Sequence, residues 1–179
     1  MKISRFCLVL SLFALLMFPL LGTGGRAFAQ NRTDHINFGV GYLIENTLEG
    51  TLSFEHETKY HNSWEYFINS SLKYEDCKDC GHICNESFWS YYNTIGGGVC
   101  YKPCIVRGRN NHGNLRLGAS GNYASTGSFV TGLHVGYEHS YALRSGWNMY
   151  WQVKCDGHIN GQDAISGGFV IGLKIPCKK

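Results

Sequence analysis

After residue 30, apolar and polar side chains alternate along almost the whole chain, and no stretch shows the three-to-four residue apolar rhythm of an amphipathic helix. A period of two means that successive side chains point to opposite faces, which commits such a chain to strands. In a first strand, Ile36, Phe38, Val40, Tyr42 and Ile44 share one face, while Asn37, Gly39 and Gly41 share the other. A last strand over 165–175 repeats the plan with Ile165, Gly167, Phe169, Ile171, Leu173 and Ile175 on one side. Six more fall at 50–56, 64–74, 88–101, 114–123, 128–141 and 147–156, the weakest being 50–56, where only Leu52 and Phe54 are clearly apolar. Turn chemistry separates them: Asn46-Thr47, His61-Asn62-Ser63, Arg107 to Gly113, Ser125-Thr126-Gly127, Ser145-Gly146 and Gly157 to Gly161.

An antiparallel set of eight strands can close in two ways: as a soluble barrel with apolar side chains inside, or as a membrane barrel with apolar side chains outside. The minority face decides. It carries Asn37, Thr51, Ser53, Glu55, Glu65, Asn69, Lys73, Ser90, Thr94, Arg116, Ser120, Asn122, His134, Glu138, Asn148, Gln152, Lys154 and Lys174. Many of the chain's 23 glycines, including Gly39, Gly96, Gly98, Gly118, Gly132, Gly168 and Gly172, lie on it too. Glycine weakens exposed strands, so small residues and single charges fit a confined interior better than a solvated outer surface. Opposite charges on that face can pair across a narrow lumen. The aromatics agree: Trp64, Tyr74, Trp89, Tyr101, Tyr123, Phe129, Tyr137 and Trp147 belong to the apolar face and sit toward strand ends, as interfacial girdles do. The fold expected is therefore all-β, an eight-stranded antiparallel up-and-down transmembrane β-barrel. A barrel of this size is filled by its own side chains, so a general pore is not expected.

Residues 1–29 read as an address. Lys2 and Arg5 precede an apolar run from Phe6 to Leu21, and Ala27-Phe28-Ala29 closes the segment as a secretory cleavage site does. The expected mature unit is 30–179, an outer-membrane barrel domain exported by that cleaved signal peptide. With Lys2, Arg5 and Arg26 removed, the 16 basic residues fall to 13, against 13 acidic ones. A nucleic-acid binder normally carries a basic excess or cluster, so direct nucleic-acid binding is not expected.

Seven cysteines follow the signal segment: Cys77, Cys80, Cys84, Cys100, Cys104, Cys155 and Cys177. Cys77-x2-Cys80 beside His82 and Cys84 invites a zinc reading, with Cys100 and Cys104 completing the set. Topology divides them, however. With a periplasmic N-terminus, Cys77, Cys80, Cys84 and Cys155 fall on the outer side, and Cys100, Cys104 and Cys177 on the inner. One metal cannot draw on both groups. Disulfides, the default in an exported chain, are expected ahead of metal, with one inner thiol left over.

No Gly-x-Ser-x-Gly elbow, Walker loop or His-Glu-x-x-His occurs, and no catalytic, cofactor or metal residue is assigned. His139-Ser140 could serve a lipid-modifying outer-membrane enzyme only with a base and carboxylate in reach. A soluble secreted binding module, with its apolar face inward, is the other alternative.

The segments Gly39-Val40-Gly41-Tyr42, Trp64-Glu65-Tyr66, Asn114-Leu115-Arg116-Leu117-Gly118-Ala119-Ser120 and Gly168 to Ile175 resemble, in that order, the conjugal-transfer protein TraO family of Bacteroidetes conjugative transposons. The similarity runs from Phe38 to Ile175; the cysteines and the ending Pro176-Cys177-Lys178-Lys179 depart from it. The resemblance implies a non-enzymatic accessory component of a conjugative DNA-transfer apparatus, with outer-membrane lipid and other apparatus proteins as partners. The expected docking surfaces are then the outer connection 75–87 and the periplasmic connections 57–63 and 102–113.

Overall fold

The computed structural model describes residues 33–44, 46–74 and 92–177. The signal segment, Cys77, Cys80, Cys84, Trp89, Ser90 and the connection 75–87 lie outside the described residues. The strands are β1 (Asp34–Leu43), β2 (Thr47–Glu57), β3 (Ser63–Lys73), β4 (Tyr92–Lys102), β5 (Cys104–Arg107), β6 (Asn111–Ala124), β7 (Phe129–Ala142), β8 (Asn148–Ile159) and β9 (Ile165–Cys177). All pair antiparallel, and β1 pairs with both β2 and β9. β4 closes the circle against β6, from Thr94↔Ala124 to Tyr101↔Leu117. The result is a closed eight-stranded up-and-down barrel, as the alternation predicts.

Among the described residues, the short β5 is a strand that the expected plan lacks. Cys104 pairs with Asn114 in the same register that sets Tyr101 opposite Leu117, so β5 prolongs β4 beyond its last partner on β3. Pro103 interrupts the run because it has no N–H to give; its carbonyl still accepts from Leu115 N at 3.0 Å. The polar stretch expected to connect through Arg107 to Gly113 is thus mostly a hairpin, with its turn confined to 108–110. Backbone pairing carries it, including a register shift between Cys104 and Val106. That pairing is invisible to a pattern read from side chains.

The apolar residues point outward. Val40 is 65% exposed, Ile68 58%, Leu133 59% and Ile165 70%, an arrangement stable only if lipid rather than water covers it. Strands of ten to fourteen residues are long enough to cross a bilayer at the usual tilt. Trp64 and Tyr101 stack obliquely at 5.0 Å toward the end that carries both chain termini, and Tyr123 pairs in register with Phe129 at the opposite end. Turns are made where the sequence allows a left-handed backbone: Gly127 and Gly146 have φ of 83° and 86°, and Asn46 has 57°. Tyr42 Oη donates to Asn46 Oδ1 at 3.0 Å, holding the first turn.

Candidate functional site

The inner face is occupied by charge. Lys102 Nζ donates to Glu55 at 2.8 Å and to Glu138 at 2.7 Å, with Glu65 at 3.4 Å. Lys174 Nζ reaches the same Glu55 and Glu138 at 2.8 and 2.6 Å, and Arg116 Nε donates to Glu65 at 2.8 Å. Three carboxylates and three cations therefore form one neutral cluster, each member from a different strand and all of it buried. Asn37, Ser53 and Ser63 supply the remaining hydrogen bonds to the two acids of this group on β2 and β3. Buried charges are tolerable only with this degree of pairing.

A second cluster lies nearer the opposite end. Lys154 Nζ joins Glu49 at 2.6 Å and Asp156 at 2.8 Å, while His134 bridges Asp156 and Ser120 through its two ring nitrogens at 2.8 and 2.7 Å. Between the clusters Phe67 stands inside the barrel, edge-on to His134 and beneath the Arg116 guanidinium at 4.7 Å. Tyr150 is also internal, and the absence of a side chain at Gly39 and Gly172 leaves room for its ring. The cavity left between the clusters is about 10 Å³, too small for more than a single water. The lumen is a plug, not a channel.

Each inner residue named from the sequence that lies among the described residues faces this interior. The same alternation extends to Glu49, Glu57, Lys102 and Asp156. Lys102 simply continues the parity of Gly96, Gly98 and Cys100, and Asp156 that of Gln152 and Lys154. Glu49, Glu57 and Lys102 escape the sequence reading because its strand ends fall one residue short of them, whereas Asp156 closes the expected 147–156 strand and is passed over despite its parity. The inward apolar residues Leu43, Phe67, Val130, Tyr150 and Val170 interrupt the polar pattern, and parity alone places them inside, Val170 between Gly168 and Gly172 and Phe67 between Glu65 and Asn69.

His139 and Ser140 do not meet. His139 packs on the outer face, stacked on Trp151 at 5.7 Å with its Nδ1 at 2.8 Å from Tyr137 Oη. Ser140 turns into the lumen toward Glu138, 3.4 Å away. Neighbours on a strand point to opposite faces, so the pair forms no joint site.

Cys100, Cys104 and Cys177 are free thiols, a correction to the disulfide expected within this inner set. Cys100 is buried in the barrel, Cys104 lies on the β5 extension and Cys177 ends β9. Cys155 is exposed on the outer face of β8, and its expected partners lie outside the described residues. Among the described residues no group of His, Cys, Asp and Glu has metal-binding geometry.

The two terminal-end connections, expected separately as docking surfaces, form one. Cys104 N donates to Asn62 Oδ1 at 2.8 Å, Asn114 Nδ2 donates to the His61 carbonyl at 2.7 Å, and the His61 and His112 rings stack at 4.5 Å. Arg107 lies over the exposed Tyr60 ring at 5.3 Å. Tyr60 and His61 both take left-handed backbone angles, φ 65° and 63°, which for such side chains costs conformational energy.

An apolar outside, an ion-paired inside and full antiparallel closure define a small transmembrane β-barrel of the outer-membrane type. The solved structures it is similar to are of that type. Neisserial surface protein A matches with a TM-score of 0.60 at 12% identity, over 84% of this chain and 100% of that one. A major outer membrane protein from Thermus thermophilus matches at 0.54 and 12%, over 83% and 100%. The Yersinia pestis outer membrane protein Ail matches at 0.52 and 11%, over 82% and 100%. Identities this low speak for the fold alone. No family model and no curated protein matches the sequence.

Proposed function

We propose that this protein is an outer-membrane barrel that works without catalysis, as an accessory component of a conjugative DNA-transfer apparatus. The observation that carries the non-transport, non-catalytic part is the ion-paired plug: with the lumen filled, the two ends and the lipid-facing wall are the surfaces left to act. The conjugative part is supported by the sequence resemblance to the TraO family. Within it, the fused platform of turn 58–62 and hairpin 104–114 faces the periplasm and is the docking surface for apparatus proteins, with the connection 75–87 on the cell surface.

The test is fractionation with gel mobility of boiled and unboiled samples, followed by transfer assays. Recovery in the outer membrane with a heat-dependent mobility shift is expected. Deleting 76–86, or replacing Tyr60 and Arg107 together by alanine, should cut transfer frequency at least tenfold while leaving the shift intact. Unchanged transfer in both variants would remove the conjugative role and leave the barrel. The lipid-modifying reading is disfavoured by the opposed His139 and Ser140, and the soluble module by the outward apolar face.

A further inference from the structure

At the end away from the chain termini the plug stops short, and a cavity of about 60 Å³ opens above it. Its wall includes Glu49, Asn69, Tyr92, Asn122, Asp156 and His158. Four buried polar atoms on this wall have no hydrogen-bond partner: Asn69 Oδ1, Tyr92 Oη, Asn122 Oδ1 and His158 Nδ1. Asn69 and Asn122 are 7% and 4% exposed. Buried polar atoms are nearly always satisfied, so four such atoms around one space are a signal rather than noise.

The unmatched atoms share a character. Asn122 gives its Nδ2 to Ser120 Oγ at 3.1 Å, leaving the amide oxygen. His158 engages Ser166 Oγ through Nε2 at 2.9 Å; with that nitrogen donating, Nδ1 is an acceptor. The Tyr92 hydroxyl can accept as well. The charges run the same way. Glu49, Asp156 and Asp163 border the space with Lys73, which pairs with Asp163 at 2.6 Å, and Lys154 pairs from below with Glu49 and Asp156, so among the described residues three carboxylates stand against two lysines. An anion would add acceptors to acceptors beside these carboxylates. An ammonium group brings three donors, no acceptor and a positive charge. The volume admits an ammonium on a short stem but not a sugar ring.

We propose that this vestibule is a binding site for a primary ammonium group on a short, unbranched carbon stem. The amine can be free or the end of a lysine side chain on a partner. The test uses the purified full chain in detergent, followed by the side-chain amide NMR signals of Asn69 and Asn122 during titration with n-propylammonium and with Nα-acetyl-lysine methylamide. Saturable shifts are expected from at least one; the lysine derivative responding marks a peptide-borne source, and propylammonium alone a free amine. Tyr92→Phe, which removes only an oxygen, should weaken binding about tenfold, and Asn69→Lys, which carries an ammonium into the space, should abolish it. Heat-dependent mobility confirms assembly of each variant. No saturable shift from either amine, or equal shifts from glycerol or sodium ions at matched ionic strength, would overturn the site and leave ordered water as its content.

Discussion

Lys102 illustrates how much one side chain holds inside this barrel. It is fully buried and touches carboxylates from β2, β3 and β7, so its loss leaves three acids sharing two cations. Replacing one member of a buried ionic group typically costs about 3–5 kcal/mol. Lys102→Met should therefore lower the temperature at which the folded band converts to the unfolded one, and adding Glu138→Gln should recover part of the loss. Recovery of nothing by the second change would mean that the cluster is not coupled as drawn. Cys104 gives a different kind of prediction. Its thiol lies on the β5 extension, beyond the spanning strands, and burial pushes its pKa up, opposed by Arg107 and by a backbone hydrogen bond from Val106. A raised thiol pKa disfavours the nucleophilic thiolate. Alkylation of Cys104 in the folded barrel should keep accelerating at pH values where an unhindered thiol has levelled off; a profile levelling at the ordinary thiol range would contradict the burial.

Strands are assembled here by glycines as much as by side chains. A Cβ at Gly172 would run into the Phe38 carbonyl oxygen and the Tyr150 ring, whereas one at Gly50 meets nothing within 4 Å. Gly172→Leu is expected to abolish the heat-modifiable species in vivo, and Gly50→Ala to leave it unchanged. Folding yields scored by gel mobility would separate the two. The strands were legible in the sequence because parity is a local property: Ile36 to Ile44 and Ile165 to Ile175 show their outer face without any knowledge of partners. The β5 hairpin was not, since Pro103 breaks the local pattern and only pairing of Cys104 with Asn114 restores it. The separation of His139 from Ser140 was already implied by the same parity that defines their strand.

At the scale of the molecule, a closed and ion-paired lumen predicts electrical silence. Incorporated into planar bilayers, the barrel should give no steady conductance above the bare membrane. Lys102→Met combined with Lys174→Met, which removes two internal cations, is the variant most apt to admit ions; steady current through the unaltered barrel would refute the plug. The lipid-facing wall is the counterpart of that interior, since the side chains excluded from the lumen make the outer surface.

The chain by itself determined which residues face in and which face out, and about how many strands cross, because alternation records parity one residue at a time. Tertiary structure alone decided who meets whom. Lys174 on β9 finds Glu55 on β2, and Lys102 on β4 finds Glu138 on β7, pairs from strands that are not neighbours in the sheet. Their meeting depends on closure and on the stagger accumulated around the barrel, to which every register contributes and which no single segment encodes. The same closure joins the turn at 58–62 to the hairpin at 104–114 and gathers Asn69, Tyr92, Asn122 and His158 around one cavity.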